Sequence, residues 1–432
     1  MASSAKSGDF KVKDLKLALQ GEKNIAWASS QMGALLKIKE RFTKEKPFRN
    51  TTVGLALHVT KETAVLIDTL KAGGAEVAIT GCNPLSTQDD VAAALAKRGI
   101  KVFAWKGETS QEYYANLGRV IDVLKDAVKR GRKIATIDDG CDLVSSIHQQ
   151  YLELIPHLVI GTEETTTGVI RLRSMEKHEA LKYPVIAVND NKTKHLFDNY
   201  YGTGQSTIDG ILRASSVMIA GSHFVVAGYG DCGRGVAKVA SGLGALVTVT
   251  EVDAVKALQA RMDGFKMMPM REAVRFGNIF VTVTGDINVI TMKEIALMKD
   301  GAILANSGHF DVEIDVKSLR SQAKKVEQIR PGLEKFSLKT GKSVYLCGEG
   351  RLVNLACAEG HPSVVMSLSF SGQSLALEYG LKNQGRLEPK VYILPEKIDQ
   401  EIAKLQMEAI GITKDELTAE QKEYLASWES GT

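Results

Sequence analysis

A glycine-rich turn at residues 228–235 constrains the fold of this 432-residue chain more than any other feature. It follows an apolar run at 224–227 and has the spacing Gly228, Gly230, Gly233. In a dinucleotide-binding βαβ unit the first glycine permits the strand-to-helix turn. The second lets the backbone approach a pyrophosphate, and the third lets the helix pack closely on the strand. The pyrophosphate lies at the helix N-terminus, where free N–H groups favour an anion. The pattern predicts a dinucleotide site; the alternative is a glycine-rich turn that binds nothing.

Glu251 indicates which dinucleotide binds. It ends a second apolar run at 245–251, and a carboxylate at this position accepts a hydrogen bond from a ribose 2′-OH and repels a 2′-phosphate. Residues 252–254 include no arginine that could hold that phosphate. The predicted cofactor is therefore NAD rather than NADP, with Asp231 and Cys232 of the glycine-rich turn among its contacts.

A second series of strand-like runs precedes this unit, at 53–59, 76–82, 101–105, 133–138 and 185–189. Helical patterns separate the runs, and residues 86–89 have the pattern of a capping box that starts one of the helices. Strands that alternate with helices predict a parallel, doubly wound sheet. The predicted fold class is α/β: two doubly wound parallel-sheet, Rossmann-like domains, a cleft between them, and a small C-terminal helical oligomerisation segment.

Polar side chains follow several strands of the first predicted sheet. They include His58, Asn83, Asp139 and Asn189. In open α/β sheets ligands bind at the carboxyl ends of the strands, so this domain is expected to hold the substrate. A single aspartate after a strand is often only a helix N-cap, and the clustering therefore carries the argument.

Composition excludes several classes of partner. The net charge is +4, and no basic block is interleaved with aromatic residues, so nucleic acid is not expected as a partner. No apolar run approaches the ~18 residues that span a bilayer, and no apolar signal core follows the N-terminus, so we expect a cytoplasmic protein without a membrane partner. The five cysteines lack metal-ligand spacing, and we expect reduced thiols and no metal site.

A polar segment separates the two predicted sheets. Its sequence GTEETTTG at 161–168 suits a hydroxyl-rich ligand better than a core. Farther along, Lys194 and Asp198 have the i, i+4 spacing that puts two side chains on one helix face. Alone, such a pair is more simply a surface ion pair that contributes a few tenths of a kcal/mol.

Eight motifs together resemble one family, the adenosylhomocysteinases, also called S-adenosyl-L-homocysteine hydrolases. They are HVT (58–60), STQD (86–89), AWKGET (104–109), DDG (138–140), EETTTG (163–168), FDN (197–199), GHFDVE (308–313) and GRLVNL (350–355). The resemblance implies reversible hydrolysis of S-adenosylhomocysteine to adenosine and homocysteine. It also implies tightly held NAD that is regenerated in each turnover, and a homotetramer.

The resemblance also implies roles for individual residues. Lys194 matches the lysine beside the substrate 3′-OH, where we expect a lowered pKa. Asp139 matches the carboxylate near C4′, and His58 the histidine near C5′. Asp198 and Glu164 match carboxylates that hold the ribose hydroxyls. Further substrate contacts correspond to Thr60, Glu62, Asn199, His309 and His361, and further NAD contacts to Thr165, Thr166, Thr167, Asn306, Gly308, His309 and Asn354.

Three positions depart from the pattern of many relatives. Lys256 stands where many relatives have an asparagine near the NAD ribose, and Thr203 stands where many have an active-site cysteine. The C-terminal segment 424–432 lacks the lysine and tyrosine tail that in many members reaches a neighbouring subunit's NAD site. These departures resemble an archaeal and thermophilic branch in which some members prefer S-inosylhomocysteine.

The order of the motifs predicts a discontinuous domain. Residues 1–191 and 354–390 form the substrate domain, 192–353 the NAD domain, and 391–432 the oligomerisation segment, whose apolar stripe is expected to pack on a partner. Three alternative functions stay open: an S-inosyl-L-homocysteine hydrolase, a 2-hydroxyacid dehydrogenase that shares only the NAD domain, and a non-catalytic NAD-binding regulatory homologue.

Overall fold

The computed structural model describes residues 9–429. Two predictions therefore lie partly outside the described residues: the N-terminus without a signal core (1–8) and the last three residues of the altered tail (430–432). The strands are β1 Thr51–Ala56, β2 Glu76–Thr80, β3 Lys101–Phe103, β4 Lys133–Asp138, β5 Leu158–Glu163, β6 Val185–Ala187, β7 His223–Ala227, β8 Leu246–Thr250, β9 Lys266–Met267, β10 Ile279–Thr282, β11 Ala302–Asn306, β12 Lys325–Arg330, β13 Leu333–Ser337, β14 Ser343–Cys347 and β15 Val391–Tyr392.

The α-helices alternate with these strands through most of the chain. They are α1 Ala18–Ser29, α2 Gly33–Glu45, α3 Lys61–Ala72, α4 Asp89–Lys97, α5 Ser110–Lys129, α6 Asp142–Gln150, α7 Thr166–Lys177, α8 Lys192–Lys194, α9 Thr203–Ser215, α10 Asp231–Gly242, α11 Ala254–Met262, α12 Met270–Ala273, α13 Met292–Leu297, α14 Val316–Gln322, α15 Val353–Ala356, α16 Ser363–Lys382, α17 Glu396–Ala409 and α18 Ala419–Ala426. A π-helix spans His195–Gly202, and short 3-10 turns span Leu15–Leu17, Leu152–His157, Val188–Asp190 and Gly348–Gly350.

Two separate sheets confirm the predicted fold class. The first sheet has the order β15-β6-β5-β4-β1-β2-β3, and all its pairings are parallel. The second has the order β12-β13-β14-β11-β10-β7-β8-β9 and is parallel except at β12-β13-β14, which pair antiparallel. In the second sheet β8 and β9 lie on one side of β7, and β10 and β11 lie on the other. The order in which strands are added therefore reverses at β7, which leaves a crevice at its carboxyl end.

Both faces of each sheet are buried, as parallel sheets require. Along β6, Val185 and Ala187 belong to one apolar core and Ile186 to the core on the opposite face. Along β7, Phe224 and Val225 likewise belong to different cores. Helices therefore cover each sheet on both sides, and the two carboxyl edges remain free to carry polar groups.

The first part of the expected oligomerisation segment packs within the chain. Val391 and Tyr392 pair with β6 at the edge of the first sheet, and α17 packs against α2 and α16 of the same chain. The Asp399 carboxylate of α17 accepts hydrogen bonds from the Lys192 and Thr193 backbone N–H groups. The apolar stripe of α17 therefore packs within the chain through Ile402. In contrast, no residue of α18 is buried.

The predicted helix start at residues 86–89 differs from the observed one. Helix α4 begins at Asp89 with Gln88 as N-cap and no side-chain capping bond, so the predicted capping box at 86–89 is wrong. The hydroxyl group of Ser86 contacts His58 instead.

No helix among residues 9–429 is long and apolar enough to cross a membrane.

Candidate active site

A cavity of about 1390 Å³ lies between the two sheets and gathers almost every residue predicted for the site. The predicted residues that line it are His58, Thr60, Glu62, Asp139, Glu164, Thr165, Thr166, Thr167, Lys194, Asp198, Asn199, Gly228, Gly230, Asp231, Cys232, Glu251, Gly308, His309, Asn354 and His361. Gly233 and Asn306 do not line it. One wall thus comes from the first sheet's carboxyl edge and the other from the glycine-rich turn.

The glycine-rich turn has the geometry that a pyrophosphate needs. Gly228 has φ +103°, and a Cβ on Gly233 would lie 2.0 Å from the Gly228 carbonyl oxygen, so helix α10 can approach β7 only with glycine there. Around Gly230, the N-cap of α10, no atom lies within 4 Å of a Cβ position. The helix N-terminus is therefore open to the cavity, and the residues fit a dinucleotide.

Glu251 lies just past the end of β8 and faces the same part of the cavity. Its carboxylate accepts hydrogen bonds from three backbone N–H groups, those of Tyr229 (2.7 Å), Val252 (2.7 Å) and Asp253 (3.0 Å). These bonds hold the carboxylate at the cavity wall, and a carboxylate at the end of this strand suits a ribose hydroxyl group. Lys256 lines the cavity nearby.

Asn306 does not contact the cavity itself but holds a loop that lines it. Its amide donates to the Gly308, Phe310 and Gly350 carbonyl groups, and its oxygen accepts from Thr282 Oγ1 and the Gly308 N–H. All of its polar atoms are therefore used to hold the 306–311 loop, which presents His309 to the first domain. In this structure Asn306 shapes the site without lining it.

Lys194 lies at the centre of a buried polar cluster. Its Nζ is 3.2 Å from Asp198 Oδ1 and 3.8 Å from Glu164 Oε1, and it donates to Asn199 Oδ1 at 2.8 Å. Lys194 ends the short helix α8, and Asp198 and Asn199 follow on the π-helix. π-Helical turns are rare and occur frequently at functional sites, and this one turns Asp198 back to the lysine.

The expected lowered pKa of Lys194 is wrong for this arrangement. Burial lowers the pKa of the ammonium group, but the negative charges of Asp198 and Glu164 outweigh burial and raise it above its usual value. Lys194 is therefore a cation at neutral pH. For Asp198, burial raises the pKa, but Lys194 and His361 outweigh it and hold the pKa below its usual range.

Glu164 behaves differently from its neighbour. Burial raises the pKa of its carboxyl group to about 7, although the Lys194 charge opposes the rise and Asp198 adds to it. Its two oxygens accept hydrogen bonds from Ser369 Oγ and Gln373 Nε2 of helix α16. Near neutral pH this carboxyl group can therefore both release and accept a proton.

A second cluster surrounds Asp139, which follows β4. Its Oδ2 lies 3.4 Å from His58 Nε2 and accepts from the Cys82 thiol at 3.6 Å, and its Oδ1 lies 3.6 Å from His309 Nδ1. Gly140 makes the last approach possible, because a Cβ there would lie 2.2 Å from His309 Nε2. His58, Cys82 and Asp139 each offer a ligand-type atom, all within 4.8 Å of one another.

The hydrogen bonds at Nδ1 relate the tautomer of His58 to Ser86. The Ser86 hydroxyl lies 3.0 Å from the Asn83 carbonyl oxygen and 2.7 Å from His58 Nδ1, so when it donates to the carbonyl it accepts from Nδ1. In that arrangement His58 Nε2 is an acceptor that faces Asp139. Burial lowers the pKa of His58 to about 4, against the opposing charge of Asp139, so the ring is neutral at pH 7.

The remaining predicted residues lie around these two clusters. The Glu62 carboxylate is buried, accepts a hydrogen bond from Ser363 Oγ at 2.6 Å and lies 3.5 Å from Lys61 Nζ. His361 bridges Asp198 at 3.3 Å and Thr203 at 3.3 Å. Thr60 is the N-cap of α3, with its side chain bonded to the Thr63 N–H.

Sequence reasoning missed the residues that support these groups. The sequence assigned Ser86 to a helix cap and Cys82 only to the free thiols, and it gave no role to Ser369 and Gln373, which lie on helix α16. The signal available was that Ser369 and Gln373 are four positions apart, which puts two polar side chains on one helix face. Their partners are more than 200 positions away along the chain, so no local pattern identifies them.

Comparisons with known proteins agree with this geometry. Residues 9–160 match the family model S-adenosyl-L-homocysteine hydrolase, and residues 199–360 match its NAD-binding domain. The chain is 57% identical over 425 residues to the adenosylhomocysteinase of Aquifex aeolicus, with 98% of this chain and all of the relative covered. It is 56% identical over 423 residues to the S-inosyl-L-homocysteine hydrolase of Methanocaldococcus jannaschii, and 55% over 423 residues to the adenosylhomocysteinase of Saccharolobus solfataricus, with the same coverage.

Proposed function

Because the chain belongs to the S-adenosyl-L-homocysteine hydrolase family and contains its NAD-binding domain, we propose that it hydrolyses S-adenosyl-L-homocysteine reversibly to adenosine and L-homocysteine. One observation carries the proposal. A lysine–carboxylate cluster and an aspartate–histidine cluster face one cavity beside the dinucleotide turn. A dehydrogenase needs one acid–base group beside its cofactor, whereas this reaction needs a second group for elimination.

The chemistry explains why a hydrolase needs a redox cofactor. A thioether at C5′ is a poor leaving group, and the C4′ hydrogen becomes acidic only when C3′ is a ketone. NAD, when bound, supplies the oxidant for C3′ and returns the same hydride at the end of turnover. Gly228, Gly230 and the α10 N-terminus would hold its pyrophosphate and Glu251 its ribose, with Thr165, Thr166, Thr167 and Asn354 on the facing wall.

The Lys194 cluster serves the oxidation step. Glu164, Asp198 and Asn199 would hold the ribose hydroxyls, and the Lys194 ammonium group would stabilise negative charge on the 3′-oxygen as the hydride leaves. The 3′-OH proton passes to the Lys194–Glu164 pair, in which the carboxyl group has a pKa of about 7. The pair, rather than a neutral lysine, is the proton acceptor.

The Asp139 cluster serves elimination and addition. Asp139 takes the C4′ proton and passes it to His58 Nε2, which delivers it to the departing sulfur. In the second half-reaction, His58 accepts a proton from the water that attacks C5′, and Asp139 returns a proton to C4′. A neutral ring that donates through Nδ1 to Ser86 and accepts through Nε2 suits both transfers.

The base preference is tested by direct comparison. Glu62, Thr60 and His361 would contact the base and close the cleft, and relatives named for each substrate are similarly close in sequence. We expect release of free thiol from S-adenosylhomocysteine; faster release from the S-inosyl compound would move the proposal to the alternative. Stoichiometric release of NADH from a 2-hydroxy acid would indicate a dehydrogenase, and no turnover of either thioether a regulatory homologue.

We further propose a homotetramer in the cytoplasm. The five cysteines carry free thiols, as in a reducing compartment, and Tyr424, Leu425 and Trp428 at the C-terminus are exposed apolar residues without cover in one chain. The substrate domain would comprise 1–191 and 354–390 and the NAD domain 192–353; within 391–432, residues beyond α17 would contact other subunits. Light scattering should give about four times the 46.9 kDa chain mass. A monomer would contradict the assembly.

A further inference from the structure

Helix α16 contributes side chains that no sequence motif identified. We propose that Ser369 and Gln373 of this helix are positioning residues that hold the Glu164 carboxylate against Lys194 for the 3′-oxidation step. The proposal rests on the proposed function, because it assigns Glu164 to the proton acceptor of that step. Neither residue lines the cavity, so each acts through Glu164.

Each Glu164 oxygen has its own donor. Ser369 Oγ donates to Oε1, and Gln373 Nε2 donates to Oε2 at 2.5 Å. The Gln373 amide cannot turn, because its Oε1 accepts a hydrogen bond from Thr162 Oγ1 at 2.5 Å. Ser369, Gln373 and Thr162 are fully buried, so water cannot replace a lost donor.

These donors set the charge that Glu164 carries. Hydrogen bonds to a carboxylate favour its ionised form and lower its pKa, whereas burial raises it. The charged groups that face Glu164 are Lys194, which lowers its pKa, and Asp198 and Asp139, which raise it. Removing one donor therefore raises the pKa of Glu164 above about 7 and leaves less of the ionised acceptor at neutral pH.

The same helix also contacts a second buried carboxylate of the cavity, that of Glu62. Ser363, its first residue, donates to Glu62. From Ser363 to Gln373 the helix rises roughly 15 Å, at about 1.5 Å per residue. Helix α16 thus holds Glu62, assigned to the base, and Glu164, one of the carboxylates assigned to the ribose, at a set separation.

Ser371 provides a matched control. It lies on the same helix, is fully buried like Ser369, and among the described residues its hydroxyl group has no hydrogen-bond partner. Ser371→Ala and Ser369→Ala therefore each remove one fully buried hydroxyl group from the same helix, and only the second removes a bond to Glu164. Ser369→Thr keeps the hydroxyl group and should restore the wild-type profile.

The test is the pH dependence of kcat/KM for thioether hydrolysis by the NAD-loaded enzyme. For Ser369→Ala we expect the acid limb to move to higher pH by roughly one unit, since a bond to a charged group changes a pKa by about that much. Ser371→Ala should leave it in place. If Ser369→Ala does not fold, Gln373→Met, which removes the amide donor, carries the same expectation.

Equal profiles for the two alanine variants, or a lower kcat without movement of the acid limb, would overturn the positioning role. A separate measurement does not depend on turnover. The Glu164 carboxyl group is identified as the infrared band that disappears in Glu164→Gln, and its pKa is measured by recording that band as a function of pH. If wild-type protein hydrolyses neither thioether, the proposed function fails. Movement of that band in Ser369→Ala but not in Ser371→Ala would still support the positioning role, and an unmoved band in both would refute it.

Discussion

Replacing Lys194 by methionine isolates the role of its charge. The substitution keeps an unbranched side chain but removes the cation 3.2 Å from Asp198 and 3.8 Å from Glu164, which leaves these two buried carboxylates without their lysine partner. Breaking a buried ion pair costs about 3–5 kcal/mol. Glu164 can limit that cost by taking up a proton, because the Lys194 charge is what lowers its pKa towards 7.

The sign of the pH dependence follows from this uptake. A carboxyl group whose pKa is raised by folding destabilises the folded protein as pH rises from its unfolded pKa to its folded pKa. In wild type this loss ends near pH 7, and in Lys194→Met it continues above pH 7 at about 1.36 kcal/mol per pH unit. The deficit of the variant at pH 8.5 should therefore exceed its deficit at pH 6 by about 2 kcal/mol.

Thermal unfolding at the two pH values measures this difference. At about 2–4 °C per kcal/mol for a domain of 150–250 residues, the Tm deficit should grow by roughly 4–8 °C from pH 6 to pH 8.5. Lys192→Met is the matched control, since Lys192 lies in the same turn and pairs only with Glu396 at the surface. A deficit that does not change with pH, or that the control shares, would refute the charge assignment.

Three further predictions concern the cofactor and the second proton transfer. Asp139→Asn should form enzyme-bound NADH with adenosine without exchanging the C4′ hydrogen for deuterium, and exchange at the wild-type rate would remove Asp139 from that step. Glu251→Ala should lose bound NAD, measured in acid extracts, by roughly tenfold or more, because a bond to a charged group contributes about 1.5–3 kcal/mol. Gly140→Ala should lower kcat and Tm together, because its Cβ would displace His309 and its φ is +105°; unchanged kinetics would show that His309 is not needed there.

The elements that were predictable from sequence are those fixed by local physics. The turn at Gly228 needs a positive φ and the approach of α10 needs Gly233, so both leave a pattern within six residues. Strand β4 matches its prediction of 133–138 because its apolar run is short and bounded by polar residues. The family resemblance, the fold class and NAD as cofactor are confirmed on these grounds.

The missed features depend on distant parts of the chain. The Lys194 pKa is decided by two carboxylates, one of which directly follows β5, and spacing alone cannot weigh burial against charge. Ser86 looked like a helix cap because its neighbours have that pattern, but His58 competes for its hydroxyl group. The antiparallel strands β12 and β13 add to a parallel sheet without any alternation that marks them as an edge.

The order of the strands also determines when the first domain can be completed during synthesis. Its edge strand β15 and its central helix α16 are made only after all strands of the second sheet have been synthesised. At about 5–20 residues per second, the 192 positions from Asn191 to Lys382 take roughly 10–40 s. For that interval β6 has a free edge, and the Glu164 carboxylate has neither of its α16 donors. A nascent chain halted before Ser363 should therefore bind a chaperone that recognises exposed apolar strands, whereas one released after Tyr392 should not.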